Sequence, residues 1–171
     1  MNAPRPVVAV VMGSTSDWPT VERTVQVLDE LAIPRMVSVM SAHRTPERVA
    51  AFASGAEAAG LKVIVAAAGG AAHLAGVIAA HTTLPVIGVP MASGALAGID
   101  ALLATVQMPS GVPVATVAIG PAGASNAAVL AAQIISLGDP DLKQRLTAYK
   151  ANLKEKVARS NDELQSQLEG S

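Results

Sequence analysis

The chain has 171 residues, a formal net charge of −1 and no cysteine. That length holds one domain with a sizeable core, and the charge leaves no electrostatic footprint for nucleic acid or an anionic membrane surface. The absent cysteines exclude disulfides, thiolate nucleophiles and zinc–thiolate sites, and they permit a reducing cytoplasm.

In chain order, "MNAPRPVVAVVMG" lacks a basic start, a long apolar region and a small-residue cleavage pattern. Residues 7–12 therefore read as a first strand and not as a signal peptide. Val21, Val25, Leu28 and Ala32 follow at helical spacing, and the Ile33-Pro34 pair ends that helix. A strand over 36–40 leads into a helix over 46–59, with Thr45 suited to its N-cap and Pro46 to its first position. A third strand, 62–68, passes through Gly69-Gly70 into a small-residue helix near 71–81. Strands over 85–89 and 113–119 are followed by helices near 94–106 and 123–137. Finally Leu142, Leu146, Tyr149, Leu153 and Val157 mark one face of a charged amphipathic helix, with Asp139 as its N-cap and Pro140 in its first turn.

Unbroken Val/Ile/Ala strands alternating with helices imply a parallel sheet covered on both faces. The expected fold is α/β: a flavodoxin-like, doubly wound, five-stranded three-layer α/β/α sandwich with a C-terminal helix. Residues 1–160 are expected to form a single catalytic domain, and 161–171 a C-terminal extension. Within 63–138 the only Asp, Glu, Lys or Arg is Asp100. A membrane segment would need about 20 continuous apolar residues with aromatic or basic anchors. Pro85, Pro90, Pro109, Pro113 and Pro121 cut this region into short pieces, and the chain has one Trp, one Tyr and one Phe. The uncharged stretch is therefore expected to be buried, partly between subunits of a homo-oligomer.

In such a sheet, ligands bind beyond the strand C-termini. The stretches there are "GSTSDW" (13–18), "SAHRTP" (41–46), "AGGAAHL" (68–74), "PMASGALAG" (90–98) and "GPAGASN" (120–126). Glycine and serine at helix starts offer backbone N–H groups and hydroxyls to an anion. Arg44 adds a fixed positive charge, and the Asp17 carboxylate accepts from sugar hydroxyls. Together they describe a pocket for a sugar phosphate. Plainer roles stand beside these: Asp17 as a helix cap, Gly69-Gly70 as a tight turn, His73 and His81 as structural residues. The three histidines, spaced 30 and 8 apart, do not match a metal site, and no G-x-x-x-x-G-K-[ST] or G-x-G-x-x-G is present.

Taken together, "GSTSDW", "SAHRTP", "AGGAAHLAGVIAA", "PVIGVP", "VQMPSGVPVATVAIG" and "GASNAAVLAAQI" resemble the AIR carboxylase family of purine biosynthesis over residues 7–153. The resemblance implies a three-layer α/β/α homo-octamer in the cytoplasm, with sites at subunit junctions. It implies transfer of a carboxyl group from the exocyclic nitrogen of carboxyaminoimidazole ribonucleotide to ring carbon C4, without metal, ATP or biotin. It also implies a functional link to the ATP-dependent synthetase that forms the carbamate. By motif, His43 is the proton-transfer residue, and Ser14, Asp17 and Arg44 bind the ribose phosphate. Ser16, Ser41, Ala42, Ala68, Gly69, Gly70, His73 and Leu74 line the pocket. The residues of "PMASGALAG" are left out, because this loop varies in the family. Arg44 and Thr45 point to the mutase branch, since the carboxylases that use free CO2 typically carry Lys and Gly there. The alternatives are such a carboxylase or a non-catalytic nucleotide- or flavin-binding module. A phospho-receiver fails because strand three ends in "AAAGG" and not in an aspartate.

Overall fold

In a computed structural model, which describes residues 4–169, the first apolar run becomes β1 (Val8–Met12), every residue of it buried. A 3₁₀ turn (Thr15–Asp17) leads into α1 (Trp18–Glu30). The alternation continues through β2 (Arg35–Val39), α2 (Pro46–Gly55), β3 (Val63–Ala68), α3 (Leu74–Ala80), β4 (Val86–Pro90), α4 (Ile99–Val106), β5 (Ala115–Thr116), α5 (Pro121–Ile135) and α6 (Pro140–Glu169). The five strands form one sheet in the order β2-β1-β3-β4-β5, all neighbours parallel. This is the doubly wound order expected of a flavodoxin-like sheet. Residues 1–3 of the expected domain and 170–171 of the expected extension lie outside the described residues.

The period-two alternation of the strands divides the core. Val8, Val10, Met12, Val63 and Val65 pack with Val21, Leu28, Ala128 and Leu142, under α1, α5 and α6. Ala9, Val11, Ile64 and Ala66 face the other way, toward Val49 of α2 and Leu74 and Ile78 of α3. Alanines 124, 127, 128, 131 and 132 of α5 are fully buried. Their small size lets α5 approach α1 closely enough for Thr24 Oγ1 to donate to the Ala124 carbonyl at 2.7 Å.

Four elements depart from the expected bounds by three residues or more, each for a local reason. The small-residue helix begins at Leu74, because Gly70 (φ 60°) and two i to i+2 hydrogen bonds occupy the preceding turn. The next helix begins only at Ile99, since Gly94, Ala97 and Gly98 hold φ of 68°, 50° and 91°, outside right-handed helix. The fifth strand shrinks to Ala115–Thr116 at the sheet edge, where Pro113 has no N–H to give a ladder. Helix α2 stops at Gly55, and the chain turns through Gly60 (φ 91°).

The caps divide as well. Asp139 Oδ1 accepts from the Leu142 N–H at 2.9 Å, as expected of an N-cap. Thr45 occupies the cap position of α2 but makes no capping bond. Its Oγ1 turns back to Ser41, donating to the carbonyl and accepting from the N–H, each at 3.0 Å. Helix α6 runs through residue 160 without a break.

Candidate active site

Between β1 and β3 the chain order reverses: β1 leads outward to β2, while β3 leads to β4 on the other side. Such a switch point opens a crevice at the strand C-termini. Three backbone bonds hold the loops in step beyond the ladder: Gly13 N–H to Ala67 O at 3.1 Å, Met40 N–H to Met12 O at 3.0 Å, and Met91 N–H to Ala68 O at 3.0 Å. A cleft of about 250 Å³ lies there.

The loop after β1 supplies Ser14, Ser16 and Asp17 to this cleft. Ser14 Oγ accepts from the Ser16 N–H at 3.2 Å and from the Ser16 hydroxyl at 2.8 Å, which caps the 3₁₀ turn. Asp17 makes no side-chain capping bond to α1, so its carboxylate faces the cleft free of the plainer role. Burial lifts the Asp17 carboxyl above its ordinary value, and a backbone hydrogen bond from Ser14 acts in the opposite direction.

From the loop after β2 come Ser41, Ala42, His43 and Arg44. The loop is a tight turn: Thr45 N–H reaches the Ser41 carbonyl at 2.8 Å, and Arg44 N–H reaches Ser41 Oγ at 3.3 Å. Closing the turn on Ser41 holds His43 and Arg44 at its exposed rim. Ala68 at the end of β3, with Gly69, His73 and Leu74 after it, completes the opposite wall. Here the two histidines meet. Nε2 of His43 lies 2.9 Å from Nδ1 of His73, with ring centroids 4.9 Å apart and planes at 71°. At that distance one nitrogen carries the hydrogen and the other accepts it.

Eleven of the twelve residues expected from sequence thus border one cleft. Gly70 does not; it shapes the turn that carries His73 inward. Three further residues line the cleft: Gly13, Ala71 and Ser93. Ser93 comes from the loop after β4, whose position at a strand end was the available signal. Arg48, one turn into α2, borders an adjoining groove that shares Ser14, Ser41 and Arg44 with the cleft. His81 lies away from the cleft, at the far end of α3.

A fixed cation, hydroxyls and a carboxylate surround a pair of imidazoles, with an Ala/Gly/Leu wall behind. The arrangement suits an anionic sugar derivative and a proton transfer. Comparison with known proteins points the same way. The family model described as AIR carboxylase matches residues 7–156. The N5-carboxyaminoimidazole ribonucleotide mutase of Bacillus subtilis is 55% identical over 160 residues, 94% of this chain and 99% of the relative. The mutase of the same name from Escherichia coli K12 is 52% identical, covering 91% and 92% of the two chains. The crystal structure of Treponema denticola PurE superposes with a TM-score of 0.83 at 30% identity, over 94% of this chain and 99% of that one. Fold and sequence agree: the chain belongs to the AIR carboxylase family.

Proposed function

We infer that this chain is an N5-carboxyaminoimidazole ribonucleotide mutase, moving the carboxyl group from the exocyclic nitrogen to C4 of the imidazole. The observation that carries the reading is the placement of His43 and Arg44 in one cleft with Ser14, Ser16 and Asp17. The mutases of B. subtilis and E. coli are more than half identical to it over the aligned 94% and 91% of the chain.

In this reading the Arg44 guanidinium and the hydroxyls of Ser14, Ser16 and Ser41 hold the ribose phosphate, and the Asp17 carboxylate accepts from a ribose hydroxyl. His43 supplies a proton to the exocyclic nitrogen as the N–CO2 bond breaks, then removes the proton from C4 once the new C–C bond has formed. An imidazole, with one nitrogen able to donate a proton and then to take one up, serves as acid and then base. Ala42, Ala68, Gly69, His73 and Leu74 form the wall, whose apolar members keep water from the CO2 released midway. The transfer is an isomerisation with no net oxidation, so the reading asks for no cofactor. Residues 4–160 form the catalytic unit, and 161–169 extend α6.

The same reading extends to assembly and place. Ile99, Leu103 and Val106 step by four and three along α4, and Ile99 and Leu103 are about half exposed, at 52% and 51%. A stretch, 63–138, whose one charged residue is Asp100 and which carries such a face fits a closed homo-octamer. Among the described residues no helix is long and apolar enough to cross a membrane. We place the protein in the cytoplasm, beside an ATP-dependent synthetase that supplies its carbamate.

The test is to compare kcat/KM for the carbamate with the rate from aminoimidazole ribonucleotide at physiological bicarbonate. The carbamate carries its own CO2, so the site need not capture a dilute gas, and it should be strongly preferred. Equal efficiency for the free amine would make this a carboxylase. His43→Asn should abolish turnover while binding stays within roughly tenfold, since a proton carrier acts in the transition state.

A further inference from the structure

We infer that His73 is a positioning residue for His43: held as the Nε2–H tautomer, it accepts at Nδ1 from Nε2–H of His43 and leaves Nδ1 of His43 to exchange the proton. This rests on His43 being the proton carrier. The geometry is the 2.9 Å contact between Nε2 of His43 and Nδ1 of His73. Among the described residues it is the one hydrogen bond of either ring, and Nδ1 of His43 has no protein partner. Asp17 and Arg44 are the other charged groups lining the cleft, and neither is bonded to an imidazole.

The proton count selects the tautomer. As an acid, His43 is an imidazolium with hydrogens on both nitrogens, so its Nε2 can only donate. If Nδ1 of His73 also carried a hydrogen, two N–H groups would face each other at 2.9 Å and the bond would be lost. If Nδ1 of His73 is bare, the bond forms and survives the whole cycle. The Nδ1 proton of His43 passes to the exocyclic nitrogen, and the electrons of the broken N–C bond remain on that nitrogen. Neutral His43 still carries Nε2–H and still donates to His73. After C4 has bonded to CO2, its proton moves to the bare Nδ1, and the C–H electron pair restores the ring double bond. The imidazolium is regenerated, and His73 has gained and lost nothing.

The backbone holds His73 for this task. Its N–H donates to the Ala71 carbonyl at 2.8 Å and its own carbonyl accepts from Val77 at 2.9 Å, at the entry to α3. The ring is therefore aimed by the turn that Gly70 allows.

Nitrogen-15 NMR of histidine-labelled protein reads tautomers directly, and with three histidines the H43N, H73N and H81N variants assign every ring. Neutral His43 and His73 should both report Nε2–H. A neutral His43 carrying Nδ1–H would overturn the inference. In kinetics, His73→Leu removes the acceptor and should lower kcat by roughly 10- to 100-fold with KM within about threefold, part of the usual worth of acid–base catalysis. His73→Asn sets an amide oxygen near the Nδ1 position and should recover most of that loss. Equal impairment in the two variants, or wild-type kcat in the leucine variant, would also overturn it. Should the leucine variant fail to fold, the tautomers of the unmodified protein decide. Should the carbamate not be converted at all, the functional reading fails, while the tautomer measurement still decides the pairing.

Discussion

Gly69 ends the β3 wall of the cleft, and replacing it by alanine probes how tightly that wall meets the loop after β4. A Cβ at Gly69 would stand 2.4 Å from Ser93 Oγ, 3.4 Å from Met91 Cβ and 3.5 Å from Ser93 Cβ. The last two are close to ordinary contact distances. The first is roughly 1 Å too short, so the conflict falls on a single hydroxyl. The Ser93 side chain must rotate or its loop must withdraw, at a cost of about 1–3 kcal/mol for an overpacked site. A wall displaced by about 1 Å can cost on the order of 100-fold in rate. Gly69→Ala should therefore lower kcat/KM by roughly 10- to 100-fold, equivalent to about 1.4–2.7 kcal/mol. Ser93→Ala alone should stay within about threefold of wild type, and the double variant should return to within about threefold of Ser93→Ala, because the clashing oxygen is gone. Initial rates on the carbamate for the four proteins of this cycle give the coupling. A double variant as impaired as Gly69→Ala would refute the steric account and place the defect in the Gly69 backbone.

Arg44→Ala should weaken substrate binding by about 1.5–3 kcal/mol, the usual range for hydrogen bonds to charged groups; lysine should rescue only in part because it lacks the planar fork, and calorimetry with an unchanged Kd for alanine would contradict the assignment. Asp17 has its folded-state carboxyl raised by burial, so its ionised form carries a folding penalty that is complete above the raised value and disappears below the ordinary one. Asp17→Asn should therefore stabilise the protein toward urea at pH 7, with a gain that shrinks as pH falls toward 3.8; a gain that grows on acidification would reverse the sign. Light scattering should find a large closed oligomer at micromolar concentration, and a stable monomer would remove the subunit role given to the exposed face of α4.

The order of strands and helices was legible because buried parallel strands need continuous apolar runs and their helices need caps and turns, both written locally. The loops after β1, β2 and β3 were legible for the same reason: a switch point is fixed by strand order, and "SAHRTP" can only lie at the end of β2. What escaped the sequence depended on backbone geometry away from the motif. Thr45 suits an N-cap by type, yet its hydroxyl serves the Ser41 turn, because closing that turn holds His43 and Arg44 at the rim. Ser93 lies in "PMASGALAG", a loop whose strand-end position is legible but whose residues are left out of the expected site because it varies in the family; left-handed backbone at Gly94, Ala97 and Gly98 replaces the helix start expected there. The contact between His43 and His73 joins residues 30 apart in sequence. Its place at a helix start makes His73 a packing residue, and the family resemblance implies a pocket wall. Only with Gly70 at φ 60°, delaying α3 to Leu74, does His73 leave the helix body and turn its Nδ1 to His43. On the proposed pairing, the residue that carries no side chain decides which nitrogen of His43 is free to react.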